Sequence, residues 1–196
     1  MSMPMKRRDV VRALLEKRGD LLVVAGLGST AWDITAAGDS PLSFPLWGAM
    51  GNAAMIGLGL ALAQPARRVL VITGDGEMLM GLGSLATIGV QRPRNLSVVV
   101  IDNERYGETG MQATHTASGV DLAKVALACG FRSARQVRKP GQLAALRAAI
   151  HGAAGPNFAQ VKVAAEKLPL VLPPREGALL KSRFRTALLG EEADLA

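Results

Sequence analysis

The sequence predicts an α/β fold: a doubly wound, mostly parallel sheet with helices on both faces. Three observations predict it. Segments of strand character alternate with segments of helical character along nearly the whole chain. The strand segments, such as VLVIT at 69–73 and LSVVVID at 96–102, are continuous apolar runs rather than alternating ones, the pattern of strands buried on both faces. Polar, glycine-rich stretches follow these runs directly, where an open parallel sheet places its ligand loops.

Taken in order, residues 5–18 read as an amphipathic helix with Val10, Val11, Leu14 and Leu15 on one face, ended by Gly19. LLVVAG at 21–26 is a buried strand, and GLGST leads into a helix that Ser29 or Thr30 is expected to cap. Residues 38–47, with two prolines, are a loop holding at most a short strand. GAMGNAAMIGLGLALAQP at 48–65 reads as one helix of small residues stopped by Pro65. Each of its internal glycines costs about 1 kcal/mol relative to alanine unless something packs closely on the backbone.

VLVIT is then a strand, Gly74-Asp75-Gly76 a turn, 78–91 a helix and 96–102 a strand, followed by a long polar loop over 103–119. The remainder reads as a helix at 121–130, a short strand within 131–138, a helix at 141–152, a last strand within 157–166, and a terminal helix at 175–189. With no repeat, linker or low-complexity segment, the economical division is one domain over 1–174 and a C-terminal extension over 175–196.

Composition narrows the function classes. At 196 residues with 49% hydrophobic content, the chain has room for one full domain. The net charge of +7 comes from scattered residues and from clusters near the two ends, Lys6, Arg7, Arg8 and Arg12, then Lys181, Arg183 and Arg185. No aromatic residues are interleaved with them as a base-stacking platform needs, so an anionic small molecule or an acidic partner chain is expected rather than nucleic acid. Cys129 is the single cysteine, which excludes an internal disulfide and a cysteine-ligated cluster. His115 and His151 are the two histidines, too few for a histidine-rich metal site. The charged start resembles no secretory signal and the longest apolar stretch is too short to span a bilayer, so a cytoplasmic location with no membrane association is expected.

The chemistry concentrates at three strand ends. GLGST offers backbone N–H groups, two hydroxyls and a helix N-terminus, which suit a phosphate. GDGE offers a carboxylate between two glycines, and Asn103 an amide oxygen. A magnesium ion commonly takes one or two carboxylates together with phosphate oxygens, so Asp75, Asn103, a loop carbonyl and two phosphate oxygens would nearly complete its shell. Taken singly, GDG is also an ordinary turn and GLGST is neither a P-loop nor a dinucleotide fingerprint.

Gly74-Asp75-Gly76, with Asn103 one helix and one strand later, resembles the thiamine-diphosphate signature. GAMGNAAMIGLGLALA resembles the segment that faces the aminopyrimidine and thiazolium rings. The likeness covers roughly residues 20–165 and is to the diphosphate-binding half of thiamine-diphosphate-dependent 2-oxo acid decarboxylases. SLATIG and YGETGMQATHT resemble the small β-subunits of sulfopyruvate decarboxylase, and phosphonopyruvate decarboxylase.

The resemblance implies thiamine diphosphate and Mg²⁺ as cofactors. Asp75, the side chain of Asn103 and the carbonyl of Arg105 would be the metal ligands. Gly28, Ser29 and Thr30 match the first phosphate loop, and Gly74, Gly76 and Glu77 the second. Many relatives hold Ser or Thr at the position of Glu77; a glutamate there leaves only its backbone to help, and its side chain must turn away or face a positive group. The carbonyl of Gly48 would accept from the cofactor's 4′-amino group. Met50 would wedge between the two rings and hold the cofactor bent, so that proton removal is intramolecular; read from the residues alone, Met50 is a core methionine on a glycine-rich helix. Tyr106 and Gly107 fall beside the cofactor or at an interface. His115 is a candidate to contact an anionic substrate or shuttle a proton, or a loop histidine held by backbone groups.

The glutamate that activates the pyrimidine in this family belongs to a second α/β domain, and Glu16 does not match its position. The resemblance therefore implies a hetero-oligomer with a separate α-subunit and a small 2-oxo acid as substrate. A carboligase subunit, or a cofactor-binding scaffold without turnover, are the alternatives.

Overall fold

The computed structural model describes residues 4–194. In chain order the elements are α1 (Arg7–Leu15), β1 (Leu22–Ala25), α2 (Ser29–Ala36), β2 (Ser43–Pro45), α3 (Ala53–Ala63), β3 (Val69–Gly74), α4 (Asp75–Met80), α5 (Ser84–Gln91) and β4 (Leu96–Asp102). They continue with β5 (Arg105–Tyr106), β6 (Gln112–Ala113), α6 (Leu122–Ala128), β7 (Ser133–Val137), α7 (Leu143–Gly152), β8 (Asn157–Lys162) and α8 (Gly177–Leu189). Six strands form one all-parallel sheet in the order β2-β1-β3-β4-β8-β7, and β5 and β6 pair as a separate antiparallel hairpin.

Successive residues of each central strand point to opposite faces, and both faces are covered. Leu22, Val24, Val69, Val71, Val98 and Val100 face one core, closed by α3, α5, α6 and α8. Val23, Ala25, Leu70, Ile72, Val99 and Ile101 face the other, closed by α1, α2 and α7. This double burial is why the strands read as unbroken apolar runs.

The chain leaves β1 toward β2 by way of α2, and leaves β3 toward β4 by way of α4 and α5. The carboxyl ends of β1 and β3 therefore flank the point where the winding reverses, the usual ligand crevice of such sheets.

Several expectations need correction. Ser29 and Thr30 do not cap α2: Gly28 is its N-cap, with φ of 75°, and no side chain caps the helix. The segment expected as one helix from 48 to 65 becomes helical only at Ala53. Ala49 and Gly51 both have positive φ, 58° and 93°, so 48–52 is a loop.

Of the helix glycines, Gly57 meets the expected close neighbour: a Cβ there would fall 2.1 Å from Val71 Cγ2. Gly59 faces open space. Gly74-Asp75-Gly76 is not a free turn, because α4 begins at Asp75. The helix expected over 78–91 is broken between α4 and α5. A Cβ at Gly81 would lie 1.9 Å from the Gly51 carbonyl oxygen, so the 48–52 loop docks where the helix is interrupted.

The expected polar loop at 103–119 contains the β5–β6 hairpin and two short 3₁₀ turns. α8 packs on β2, burying Leu180 and Phe184, with the Phe44 and Phe184 ring centroids 5.5 Å apart.

Candidate functional site

Three strand ends meet around a cleft of about 250 Å³. Gly26-Leu27-Gly28 carries the chain from β1 into α2. Asp75 opens α4 directly after β3. Asn103 follows β4, and because Gly74 is in register with Ile101, Asp75 and Asn103 emerge beside one another. Ser29, Thr30, Met50, Gly74, Asp75, Gly76, Glu77, Asn103, Arg105, Tyr106 and Gly107 all line the cleft.

Gly28, Gly48 and His115 do not. Gly28 touches Glu108, whose Oε1 would lie 2.7 Å from a Cβ there, and Gly48 is exposed on the 48–52 loop. His115 is exposed, whereas its neighbours Thr114 and Thr116 are the residues turned inward.

Asp75 is buried, and loss of hydration pushes its pKa up to about 6. The hydrogen bond from Thr114 works against that rise, and the nearby Asp102 adds to it. Thr114 Oγ1 donates to Asp75 Oδ2 at 2.6 Å and Thr116 Oγ1 approaches the same oxygen at 3.2 Å. Thr116 also lies 2.8 Å from Asp102 Oδ1. Asp102, fully buried, accepts from Gln160 at 2.6 Å and pairs with Lys162 at 2.7 Å. One oxygen of Asp75 is thus fixed from behind, and Oδ1 has no side-chain partner among the described residues. Asn103 Oδ1 accepts the Arg105 N–H at 2.9 Å, which sets the amide's direction at the cleft floor.

The Glu77 side chain is buried and meets no cation among the described residues. Thr73 Oγ1 donates to its Oε2 at 2.7 Å. The backbone N–H groups of Gly51, Leu27 and Ala53 lie close enough to favour the carboxylate, although Oε1 lacks a hydrogen bond of regular geometry. Burial nevertheless raises its pKa. Gly26 leaves room for this carboxylate: a Cβ there would fall 1.7 Å from Glu77 Oε2, so a larger residue would displace the glutamate. Glu77 therefore braces the loop after β1 against the loop that carries Met50. Gly76 is needed for a different contact: the Tyr106 ring lies on its backbone, 2.5 Å from where a Cβ would stand.

Thr30 is at the cleft, but its hydroxyl donates to the Gly26 carbonyl at 2.8 Å, leaving Ser29 as the hydroxyl with no such bond among the described residues.

Arg7, Asp33, Glu108 and Thr109 also line the cleft, and sequence reasoning passed them over. For Arg7 a signal existed. It lies three, four and seven positions before Val10, Val11 and Leu14, on the buried stripe of α1. Thr114 and Thr116 had no local signal, because the hairpin that returns them to Asp75 is set by tertiary contacts.

The matching family model, thiamine pyrophosphate enzyme, C-terminal TPP binding domain, covers residues 28–163. The chain is 42% identical over 127 residues to a sulfopyruvate decarboxylase subunit beta of Methanocaldococcus jannaschii, covering 64% of this chain and 67% of that one. It is 37% identical over 183 residues to a phosphonopyruvate decarboxylase of Streptomyces viridochromogenes, covering 93% of this chain but 46% of the longer relative. The fold superimposes on benzoylformate decarboxylase from Polynucleobacter necessarius with a TM-score of 0.70 at 20% identity, over 86% of this chain and 35% of that one. The parallel sheet, the cleft at its winding reversal and these matches converge: the chain belongs to the thiamine pyrophosphate enzymes, as their C-terminal TPP-binding domain.

Proposed function

We propose that this chain is the β-subunit of a thiamine-diphosphate-dependent decarboxylase that releases CO₂ from a small anionic 2-oxo acid such as sulfopyruvate or phosphonopyruvate. The observation that carries the reading is the meeting of Asp75, Asn103 and Met50 in one cleft with the uncapped start of α2. Its relatives named sulfopyruvate decarboxylase subunit beta and phosphonopyruvate decarboxylase support the substrate class.

The donor set fits a magnesium diphosphate. No cluster of three or more His, Cys, Asp or Glu side chains among the described residues would hold a metal unaided. One carboxylate, one amide and the Arg105 carbonyl leave the rest of the shell to phosphate oxygens. Asp75 would ligate through the oxygen that Thr114 and Thr116 leave open, and a desolvated carboxylate is stabilised in its ionised form by such a cation. Ser29, Gly76 and the backbone of Glu77 would hold the phosphates, and Gly28, outside the cleft lining, would serve by turning the chain into α2. Thiamine diphosphate, when bound, supplies a carbon nucleophile and an electron sink for loss of CO₂.

Met50 would set the angle between the cofactor's rings, and the Gly48 carbonyl would accept from its amino group. Glu77 and the Gly51–Gly81 contact fix the loop that presents both. Tyr106 and Gly107 would close the phosphate end. His115, outside the cleft, would serve only a substrate or partner surface lying over the rim. The cofactor-activating glutamate would come from a separate α-subunit, which makes the enzyme a hetero-oligomer.

The test is CO₂ release from a panel of 2-oxo acids by the chain mixed with the product of a gene encoding the complementary pyrimidine-binding domain. Activity is expected only in the mixture and highest on substrates with a second anionic group. Full activity of the chain alone would contradict the two-subunit assignment. One CO₂ released for every two oxo acids consumed, with a single condensed product in place of an aldehyde, would favour a carboligase.

A further inference from the structure

We infer that Arg7 binds the terminal phosphate of the cofactor; this rests on the thiamine-diphosphate reading of the cleft. Arg7 lies on the first turn of α1, yet its side chain is only 5% exposed and it lines the cleft. Burying a guanidinium without partners is costly, and Arg7 has few. Its Nε stands 3.3 Å from Asp33 Oδ2, without a hydrogen bond of regular geometry, and none is made by the rest of the guanidinium among the described residues. Asp33 is itself shared, since Arg8 Nε donates to its other oxygen at 3.0 Å. Glu166 takes the backbone N–H of Arg7 rather than its guanidinium. Two arginines thus meet one buried carboxylate, and Arg7 is the one that reaches the cleft.

A second feature points the same way. The eight-residue helix α2 begins at the cleft with no side-chain cap, so its first N–H groups and the positive end of its dipole face the same space.

The placement selects which group Arg7 meets. The cleft crosses the top of the sheet from one covered face to the other. Met50 sits on the loop leading into α3, on the first face, whereas Arg7 and Asp33 belong to α1 and α2 on the second. Asp75 and Asn103 lie between them, at the ends of the central strands β3 and β4. A cofactor with its rings at Met50 and its phosphates on a metal at Asp75 and Asn103 would have Arg7 at the phosphate end of the same cleft. A guanidinium matches a phosphate by paired N–H···O bonds.

Titration calorimetry on the full chain, with Mg²⁺ present, tests this with three ligands: pyrophosphate, thiamine diphosphate and thiamine monophosphate. Arg7→Met is expected to weaken both diphosphates about 10- to 100-fold, and Arg7→Lys to give a smaller loss. Thiamine monophosphate, which lacks the terminal group, should bind wild type and both variants alike. Arg8→Met, which removes the other partner of Asp33, should bind diphosphates like wild type.

Unchanged diphosphate affinity in Arg7→Met and Arg7→Lys would overturn the inference and leave the cofactor reading standing. So would an equal loss with the monophosphate, or an equal loss in Arg8→Met. If Arg7→Met fails to fold, the contrast between diphosphate and monophosphate in Arg7→Lys decides. Failure of wild type to bind either diphosphate would remove the cofactor reading, and this inference with it.

Discussion

Behind Asp75 runs a chain of buried polar groups, Thr114 and Thr116 to Asp102 and Gln160, ending at the half-buried Lys162. Its far end carries the cation that makes two neighbouring carboxylates tolerable. Burial alone would lower the pKa of Lys162, but its hydrogen bonds and ion pairs with Asp102 and Glu104 outweigh that and raise it. A raised lysine pKa stabilises the fold fully below the unfolded value of about 10.4 and loses that contribution as pH rises through the native value.

Lys162→Met should therefore cost about 3 kcal/mol near neutral pH. It should also flatten the alkaline fall in stability, measured by denaturant unfolding from pH 7 upward in wild type and variant. Coincident curves would show that the pair contributes nothing, and parallel but offset curves that its contribution is not linked to the lysine's titration.

At this scale the sequence disclosed Asp75 and Asn103, because acidic and amide groups at the ends of apolar runs are a local pattern. It concealed Thr114, Thr116 and Lys162, which act only through contacts far along the chain. Arg7 was readable by its helical spacing but hidden by its place in a basic cluster.

The elements that place Met50 are two loops held by a glycine contact. A periodic reading merges α4 and α5 into one helix and extends α3 back to residue 48, because glycine and small apolar residues fit helical spacing on both sides. The actual boundaries arise from long-range packing: the Gly51 carbonyl occupies the space beside Gly81. Propensity sees neither partner.

Gly81→Ala is expected to destabilise the isolated chain by about 1–3 kcal/mol in denaturant unfolding, as overpacking against backbone does. It should also weaken cofactor binding by displacing the 48–52 loop. Gly59→Ala, in the open part of α3, should be neutral or stabilising by up to about 1 kcal/mol. Equal stability of the two variants would refute the contact's role. The long loop after β4 was legible as polar but not as a hairpin, since β5 and β6 are two residues each and carry no period.

For the whole molecule, the doubly wound sheet was legible because both faces of its strands are buried, and the strand order then fixes where a ligand can sit. β1 and β3 are adjacent and their connections depart in opposite directions, so one cleft opens at their carboxyl ends, with β4 supplying the third wall. The cleft-lining residues described above belong to this chain. If the activating glutamate is supplied by a second subunit, as proposed, cofactor binding and turnover are separable, and the chain alone should show the first without the second.

The most direct measurement is a crystal structure of the chain grown with thiamine diphosphate and Mn²⁺ in place of Mg²⁺, with the metal located by its anomalous signal. The account predicts one metal peak shared by Asp75, Asn103 and the diphosphate, with the thiazolium ring on the Met50 side. A diphosphate bound elsewhere, or a metal peak that avoids Asp75, would contradict it.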